Sequence, residues 1–164
     1  MTFSLVARCA ETGMFGMAVA SSSPAVAARC AYARARVGAV ASQNVTDPSL
    51  GPKMLDLMER GLDAKQALEE LKTRANFLEY RQILAVDHLG QTAIHSGENS
   101  LGIWTQAEAK MWPPAEICWQ MIRCRQRLFL VLFLQRGISE TAFWLQCAQA
   151  WTRAARQAQF IRRG

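Results

Sequence analysis

The stretch MTFSLVARCAETGMFGMAVASSS, residues 1–23, decides the fold because it predicts two antiparallel strands joined by a tight turn. MTFSLVARC is rich in apolar and β-branched residues and is followed by the turn signal ETG at 11–13. MFGMAVASSS then supplies the partner strand. Because strands pair outward from the turn, Thr2 should lie beside the serines at 21–23.

The rest of the first 109 residues predicts five further elements. VGAVASQN (37–44) is a short apolar run typical of a strand buried on both faces, and YRQILAVD (80–87) with QTAIHSG (91–97) predicts a hairpin. Between them, apolar residues at helical spacing predict one helix from Asp47 and a second capped by Asp63. Strands grouped in this way predict an α+β fold in which helices cover sheet layers.

The charge of the chain is divided unevenly. The net charge is +6 over 164 residues, but residues 1–109 contain ten Lys and Arg against eleven Asp and Glu, whereas 110–164 contain nine against two. The tail also holds four of the five Trp. An Arg and Trp-rich arm for nucleic acid or anionic lipid is one interpretation. The tail shows no repeat, recognisable module or sustained helical stripe, so we favour no nucleic acid and no membrane as partners.

Signatures of cofactors, metals and membranes are lacking in the sequence. It contains no GxGxxG, GxxxxGK[ST], GxSxG or CxxC, and His88 and His95 have no cysteine spacing that would complete a zinc site. LFLVLFL (128–134) is much shorter than a membrane span. We therefore expect no cofactor, no metal and a cytoplasmic protein whose five cysteines are reduced.

Thr2 is the residue with the clearest chemistry. Removal of Met1 would leave a threonine that carries a hydroxyl and a free α-amine together. An α-amine titrates near 7.7–8.0, so a useful fraction accepts a proton at neutral pH. Nucleophile and base would then come from one residue. The alternative is that Thr2 simply begins a strand.

Several segments carry a family resemblance: MTFSLVAR, ETGMFGMAVASSSPAV, ARARVGAVASQNVTDPSLGPKMLDLM and HSGEN. Together they resemble the bacterial domain-of-unknown-function family numbered 1028, over nearly all of residues 1–109. The resemblance implies an N-terminal-nucleophile-hydrolase-like αββα sandwich with a strand-borne first residue facing a cleft between the sheets. It also implies candidate catalytic residues that orient the amine or bind an oxyanion: Thr2, Ser21, Ser23, Gln43, Asn44, His95 and Asn99.

Structural alternatives stay open for these residues, and one position departs from the family pattern. The serines at 21–23 also suit the capping of strand ends, and His95 also suits a hydrogen-bonded strand histidine. Arg36 stands where the family pattern ARAGVGAV has glycine.

The resemblance ends at Ala109, and residues 110–164 look like an out-of-frame translation. Restoring one base before Lys110 lets the shifted frame of residues 110–123 read ENVAAGGNLLANDP, which resembles the missing turn and strand. The same shift from Arg136 onward yields an amphipathic helix and a Gly-rich turn. We therefore expect residues 1–109 to be the front part of the domain and 110–164 to form no native domain, with the second half missing or replaced by an irregular or helical tail.

Three functional hypotheses follow. The first is an N-terminal-nucleophile hydrolase acting on an amide or related acyl bond of an unknown small-molecule or peptide substrate, inactive in this shortened form. The intact family members would then be possible homo-oligomers. The second is a non-catalytic binding module with the same fold, and the third is the Arg and Trp-rich arm.

Overall fold

The structure of the chain is a computed structural model, and it describes residues 2–102, 104–111 and 115–122. Eight strands, three helices and one 3₁₀ turn lie in these ranges. In chain order they are β1 (Thr2–Cys9), β2 (Phe15–Ser21), α1 (Ala27–Cys30), β3 (Ala31–Arg34), β4 (Gly38–Asn44), α2 (Leu50–Glu59), α3 (Ala64–Arg74), the 3₁₀ turn (Leu78–Tyr80), β5 (Arg81–Asp87), β6 (Thr92–Ser96), β7 (Trp104–Met111) and β8 (Ala115–Ile122).

The strands form two four-stranded sheets. Sheet A has the order β2-β1-β8-β7, and sheet B has the order β3-β4-β5-β6. Every pair of neighbouring strands in the two sheets is antiparallel. The first hairpin has the predicted register, because Thr2 pairs with Ser21. The predicted mixed α+β class is thus confirmed.

Two apolar clusters separate the layers. One cluster lies between the sheets, where the fully buried Val6 of β1 contacts Ala39 and Ala41 of β4 together with apolar residues of β5 and β6. The other lies between sheet B and the helices α2 and α3. Because side chains alternate along a strand, β4, β5 and β6 of sheet B each contribute to both clusters. Burial of both faces explains why the sequences of β4 and β5 are almost continuously apolar.

The start of α3 follows a local rule that the sequence predicted, whereas α2 begins at Leu50, three residues after the predicted start at Asp47. Asp63 caps α3 by accepting from the backbone N–H of Gln66 at 2.8 Å, and the Gln66 side chain accepts from the N–H of Asp63 at 3.2 Å. A second carboxylate supports the same helix. Asp87, buried at the end of β5, accepts from the N–H of Ala64 at 3.0 Å. No helix in the described ranges is long and apolar enough to span a bilayer.

The structure differs from the predicted elements in two places. Sequence patterns missed α1 and β3, which are four residues each and too short to show a period. An irregular or helical tail was expected from residue 110, but the structure has strand through Met111 and again over Ala115–Ile122. The physical reason is the alternation of apolar types in β8, at Ile117, Trp119 and Met121, which favours a strand. The rest of the tail lies outside the described residues.

Candidate functional site

Two hydroxyl groups meet at the open end of the first hairpin. Thr2 Oγ1 lies 3.0 Å from Ser21 Oγ, and the backbone N–H of Ser23 donates to Ser21 Oγ at 3.1 Å. Strand alternation puts Thr2 on the same face as Val6, which is the face toward sheet B. Because Ser21 Oγ already accepts one hydrogen bond, its own proton is well placed to be donated to Thr2.

A row of hydrogen-bonded polar side chains begins at Gln43. Gln43 Nε2 donates to Gln82 Oε1 at 3.0 Å, and Gln82 Nε2 donates to Ser96 Oγ at 3.2 Å. Ser96 Oγ then donates to Gln106 Oε1 on β7 at 2.7 Å. We call these four residues the amide row. The row crosses three strands of sheet B and ends on sheet A, so it joins the two sheets at one level.

Ser4 of sheet A lies at the same height along the strands as the amide row. The register places Ser4 beside Gln120 of β8, and Gln120 beside Gln106 of β7. Ser4 and Gln43 are both fully buried, and Ser4 Oγ and Gln43 Oε1 have no hydrogen-bond partner among the described residues. Buried polar atoms without partners are rare and costly, so each of these two atoms requires an explanation. Thr2 lies two residues from Ser4 on the same face, one step closer to the strand end.

Asn44 anchors the loop after β6 instead of facing the sheet interior. Its backbone is left-handed, with φ 75°, and its Oδ1 accepts from the N–H of Leu101 at 3.1 Å. Asparagine tolerates this conformation better than most residues. Gln43 and Asn44, predicted together, therefore act in different places.

His95 lies on the opposite face of sheet B from the space that Thr2 faces, and Asn99 lies in the segment after β6. His95 alternates with Ile94, which packs between the sheets, so His95 belongs to the face of sheet B that the helices cover. Its Nε2 lies 3.0 Å from the carbonyl oxygen of Leu78, in agreement with the structural alternative stated above. Asn99 is exposed, and its N–H donates to the carbonyl of Glu79 at 2.7 Å.

Cys30 is the competing nucleophile in this part of the chain. It is free and buried, and burial raises the pKa of its thiol, although the Thr46 hydroxyl and the Arg29 charge lower it in part. A thiol with a raised pKa is protonated at neutral pH and reacts poorly. Cys9 is also free. Within the described ranges, no group of three metal-binding side chains occurs.

Sequence reasoning assigned no role to Ser4, Gln82 and Gln106, and it included Ser96 only as part of the segment HSGEN at 95–99. Gln82 and Gln106 lie in none of the family segments. The available signal was strand alternation, since Ser4 follows Thr2 by two positions and faces the same side. Finding Gln82 also required the strand register, which brings it to Gln43 across 39 positions of sequence, and finding Gln106 required the contact between the two sheets.

These features define a class of protein: a mixed α+β domain with two stacked antiparallel sheets, paired hydroxyls at one strand end and buried amides between the sheets. Within that class, the chain belongs to the Family of unknown function (DUF1028), whose family model matches residues 2–112. This confirms the predicted family, and the match extends three residues beyond Ala109.

A solved structure has the same fold. The crystal structure of protein SPO2555 from Silicibacter pomeroyi, of the same family, is similar with a TM-score of 0.77 at 23% identity. The similarity covers 93% of this chain and 70% of that one. No curated protein matches the chain.

Proposed function

We propose that this domain is an N-terminal-nucleophile hydrolase for an amide or related acyl bond, with Thr2 as nucleophile after removal of Met1. The observation that carries the proposal is the contact of 3.0 Å between Thr2 Oγ1 and Ser21 Oγ on the face between the sheets. A first residue on a sheet strand, with a hydroxyl partner and polar groups behind it, has the parts that acyl transfer requires.

The proton balance assigns a role to each group. The neutral amine of Thr2 takes the proton from its own Oγ1 as this oxygen attacks the acyl carbon, and the resulting ammonium then protonates the leaving nitrogen. An ester of Thr2 forms and the amide bond breaks. Water, deprotonated by the same amine, hydrolyses the ester and restores Thr2. Ser21 donates a hydrogen bond to Oγ1 and keeps its proton, and so stabilises the negative charge that develops on Oγ1.

The finer architecture is also part of the proposal. An αββα sandwich needs helices over both outer faces, and α2 and α3 supply the layer over sheet B. We propose that the helical layer over sheet A was encoded in the frame lost near codon 110, and that this chain is therefore inactive in its present form. The nucleotide sequence of codons 105–115 tests this: an intact reading frame with no missing base in relatives would refute it.

The hydrolase proposal is tested on two proteins, the present chain and a frame-restored chain. Intact mass and N-terminal sequencing should show loss of Met1, and a hydroxyl-reactive acylating probe should add one acyl group at Thr2 of the frame-restored protein. Thr2→Ala should abolish the labelling, whereas Thr2→Ser should retain it because the hydroxyl and amine remain. Retention of Met1, or labelling that persists in Thr2→Ala, would count against the proposal. Ligand binding that is unchanged in Thr2→Ala would favour a non-catalytic binding module.

A further inference from the structure

The amide row is a chain of hydrogen bonds that has two possible directions. In the observed direction, each member donates toward Gln106, so Gln43 donates its Nε2 and leaves its Oε1 without a partner. A half-turn of each amide and rotation of the Ser96 hydroxyl reverse every bond in the row without moving the backbone. In the reversed direction, Gln43 Oε1 accepts from Gln82, and Gln43 Nε2 becomes the group without a partner.

The direction decides what Gln43 offers to the space between the sheets. A free Oε1 accepts a hydrogen bond and repels negative charge, whereas a free Nε2 donates one and stabilises it. The directions of the hydrogen bonds are coupled along the amide row, because a glutamine whose oxygen accepts from one neighbour must donate from its nitrogen to the next. The far end, Gln106, is exposed, whereas Gln43 and Gln82 are fully buried.

We propose that Gln82, Ser96 and Gln106 are positioning residues that set whether Gln43 presents an acceptor or a donor to the space between the sheets, toward which Thr2 also faces. This inference rests on the proposed function, since the donor would serve the oxyanion formed when Thr2 attacks an acyl group. The observed direction suits a substrate N–H, and the reversed direction suits the tetrahedral oxyanion. Attack would therefore be accompanied by reversal of the row.

The exposed end allows the direction to be changed without altering the core. Gln106→Glu supplies only acceptors to Ser96, so it favours the observed direction. Gln106→Lys supplies only donors, so Ser96 can direct its proton to Gln82, and the reversed direction is favoured. Gln106→Met, which offers neither, is the matched control and should give intermediate results.

The test uses the full 164-residue chain with ¹³C-labelled glutamine. The Cδ resonance of Gln43 should move downfield in Gln106→Lys relative to Gln106→Glu, because its carbonyl accepts a hydrogen bond only in the reversed direction. Gln82 is the internal control, since its carbonyl accepts in both directions. Equal chemical shifts of Gln43 Cδ in Gln106→Lys and Gln106→Glu would overturn the inference.

The labelling rate at Thr2 separates this inference from the proposed function. Where the probe labels Thr2 of the frame-restored protein, the Gln106→Lys variant of that protein should react about tenfold faster than its Gln106→Glu variant, a difference typical of one hydrogen bond to a charged group. Labelling at equal rates would show that the row does not serve the oxyanion and would overturn the positioning role. Where no form of the frame-restored protein is labelled, the hydrolase proposal is rejected, and the chemical shift of Gln43 alone decides the direction of the row.

Discussion

Ser21 Oγ contacts two partners at the end of the first hairpin: Thr2 Oγ1 at 3.0 Å and the backbone N–H of Ser23 at 3.1 Å. The second contact fixes the position of the Ser21 oxygen relative to its own chain. A hydroxyl fixed in this way can donate to Thr2 without a large loss of rotamer freedom. The strand register supplies this pair directly, because Thr2 and Ser21 are opposite one another.

Ser21→Ala should lower the rate at which an acylating probe labels Thr2 by about tenfold, because one hydrogen bond to the developing alkoxide is lost. The rate is measured by mass spectrometry of the frame-restored protein. Ser21→Thr retains the hydroxyl and should recover most of the rate. Thr73→Ala, at an exposed position of α3, is the remote control. An unchanged rate in Ser21→Ala would remove Ser21 from the proposed mechanism.

Asp87→Ala should lower the free energy of unfolding by about 2–4 kcal/mol, because several backbone donors lose a buried acceptor at once. The carboxylate accepts from Ala64 at the start of α3, and from Leu89 and Gln91 in the β5–β6 turn, at 2.9 to 3.0 Å. Asp63→Ala removes only a helix cap and should cost about 1 kcal/mol. Denaturant unfolding compares the two variants, and equal losses would contradict the special role of Asp87.

Local chemistry made much of the fold predictable. The turn at 11–13 predicted that Thr2 lies opposite Ser21. Asp63, followed by Gln66 three residues later, indicated the start of α3. Such features depend on a few neighbouring residues, and the sequence contains all of them. The strand β3 was missed because four residues, AYAR, show neither alternation nor a turn signal strong enough to separate them from a loop.

The candidate site was less predictable because it depends on the register between strands and on the face of the sheet that each side chain occupies. Thr2 and Ser21 were foreseeable from one hairpin. Gln82 and Gln106 came to the same level only through pairing across the sheets. His95 was grouped with Thr2 by motif, and a single step of strand alternation puts it on the helix side instead. The roles of all these residues remain predictions.

Arg36→Gly should raise the free energy of unfolding by about 0.5–1 kcal/mol. Arg36 lies in the tight β3–β4 turn with φ 63°. This left-handed conformation costs a residue with a Cβ about 1–2 kcal/mol relative to glycine. Part of that gain is lost in Arg36→Gly, because glycine has more conformational entropy in the unfolded chain. Arg36→Ala should bring no comparable gain, and Ala35→Gly should destabilise. Thermal unfolding of the three variants checks the order.

Gly51→Ala should destabilise the protein by about 1–3 kcal/mol, although alanine is the better helix former by about 1 kcal/mol. A Cβ on Gly51 in α2 would overlap the ring of Tyr32, whose hydroxyl donates to the carbonyl of Arg29 at 3.0 Å. The ring is therefore fixed at its far end and cannot move away freely. The double variant Gly51→Ala with Tyr32→Leu should recover stability relative to Gly51→Ala alone. A Gly51→Ala variant that is more stable than the wild-type protein would show that the Tyr32 ring moves to accommodate the Cβ.

Asp47 and Arg81 should make stability depend on acid pH. Burial of Asp47 alone would raise its pKa, but hydrogen bonds from Ser49 and the Arg81 cation, 3.0 Å away, outweigh this and lower the pKa below its usual value. A carboxylate with a lowered pKa in the folded state stabilises that state above the unfolded pKa of about 4, and this contribution disappears as the pH falls through the folded value. Asp47→Asn lacks the titrating group, so its stability deficit should be largest near neutral pH and should shrink below about pH 4.

Chemical unfolding at about pH 6 and about pH 3 measures that change in deficit. Glu69→Gln provides the comparison, because the Glu69–Lys72 pair lies on the surface, with 70% of the Glu69 side chain exposed. An exposed pair contributes little in water, so its deficit should be small at both pH values. The Arg81 side chain is only 11% exposed, which reduces screening of its charge by solvent. A deficit for Asp47→Asn that stays constant between the two pH values would show that the Arg81 contact does not stabilise the ionised carboxylate.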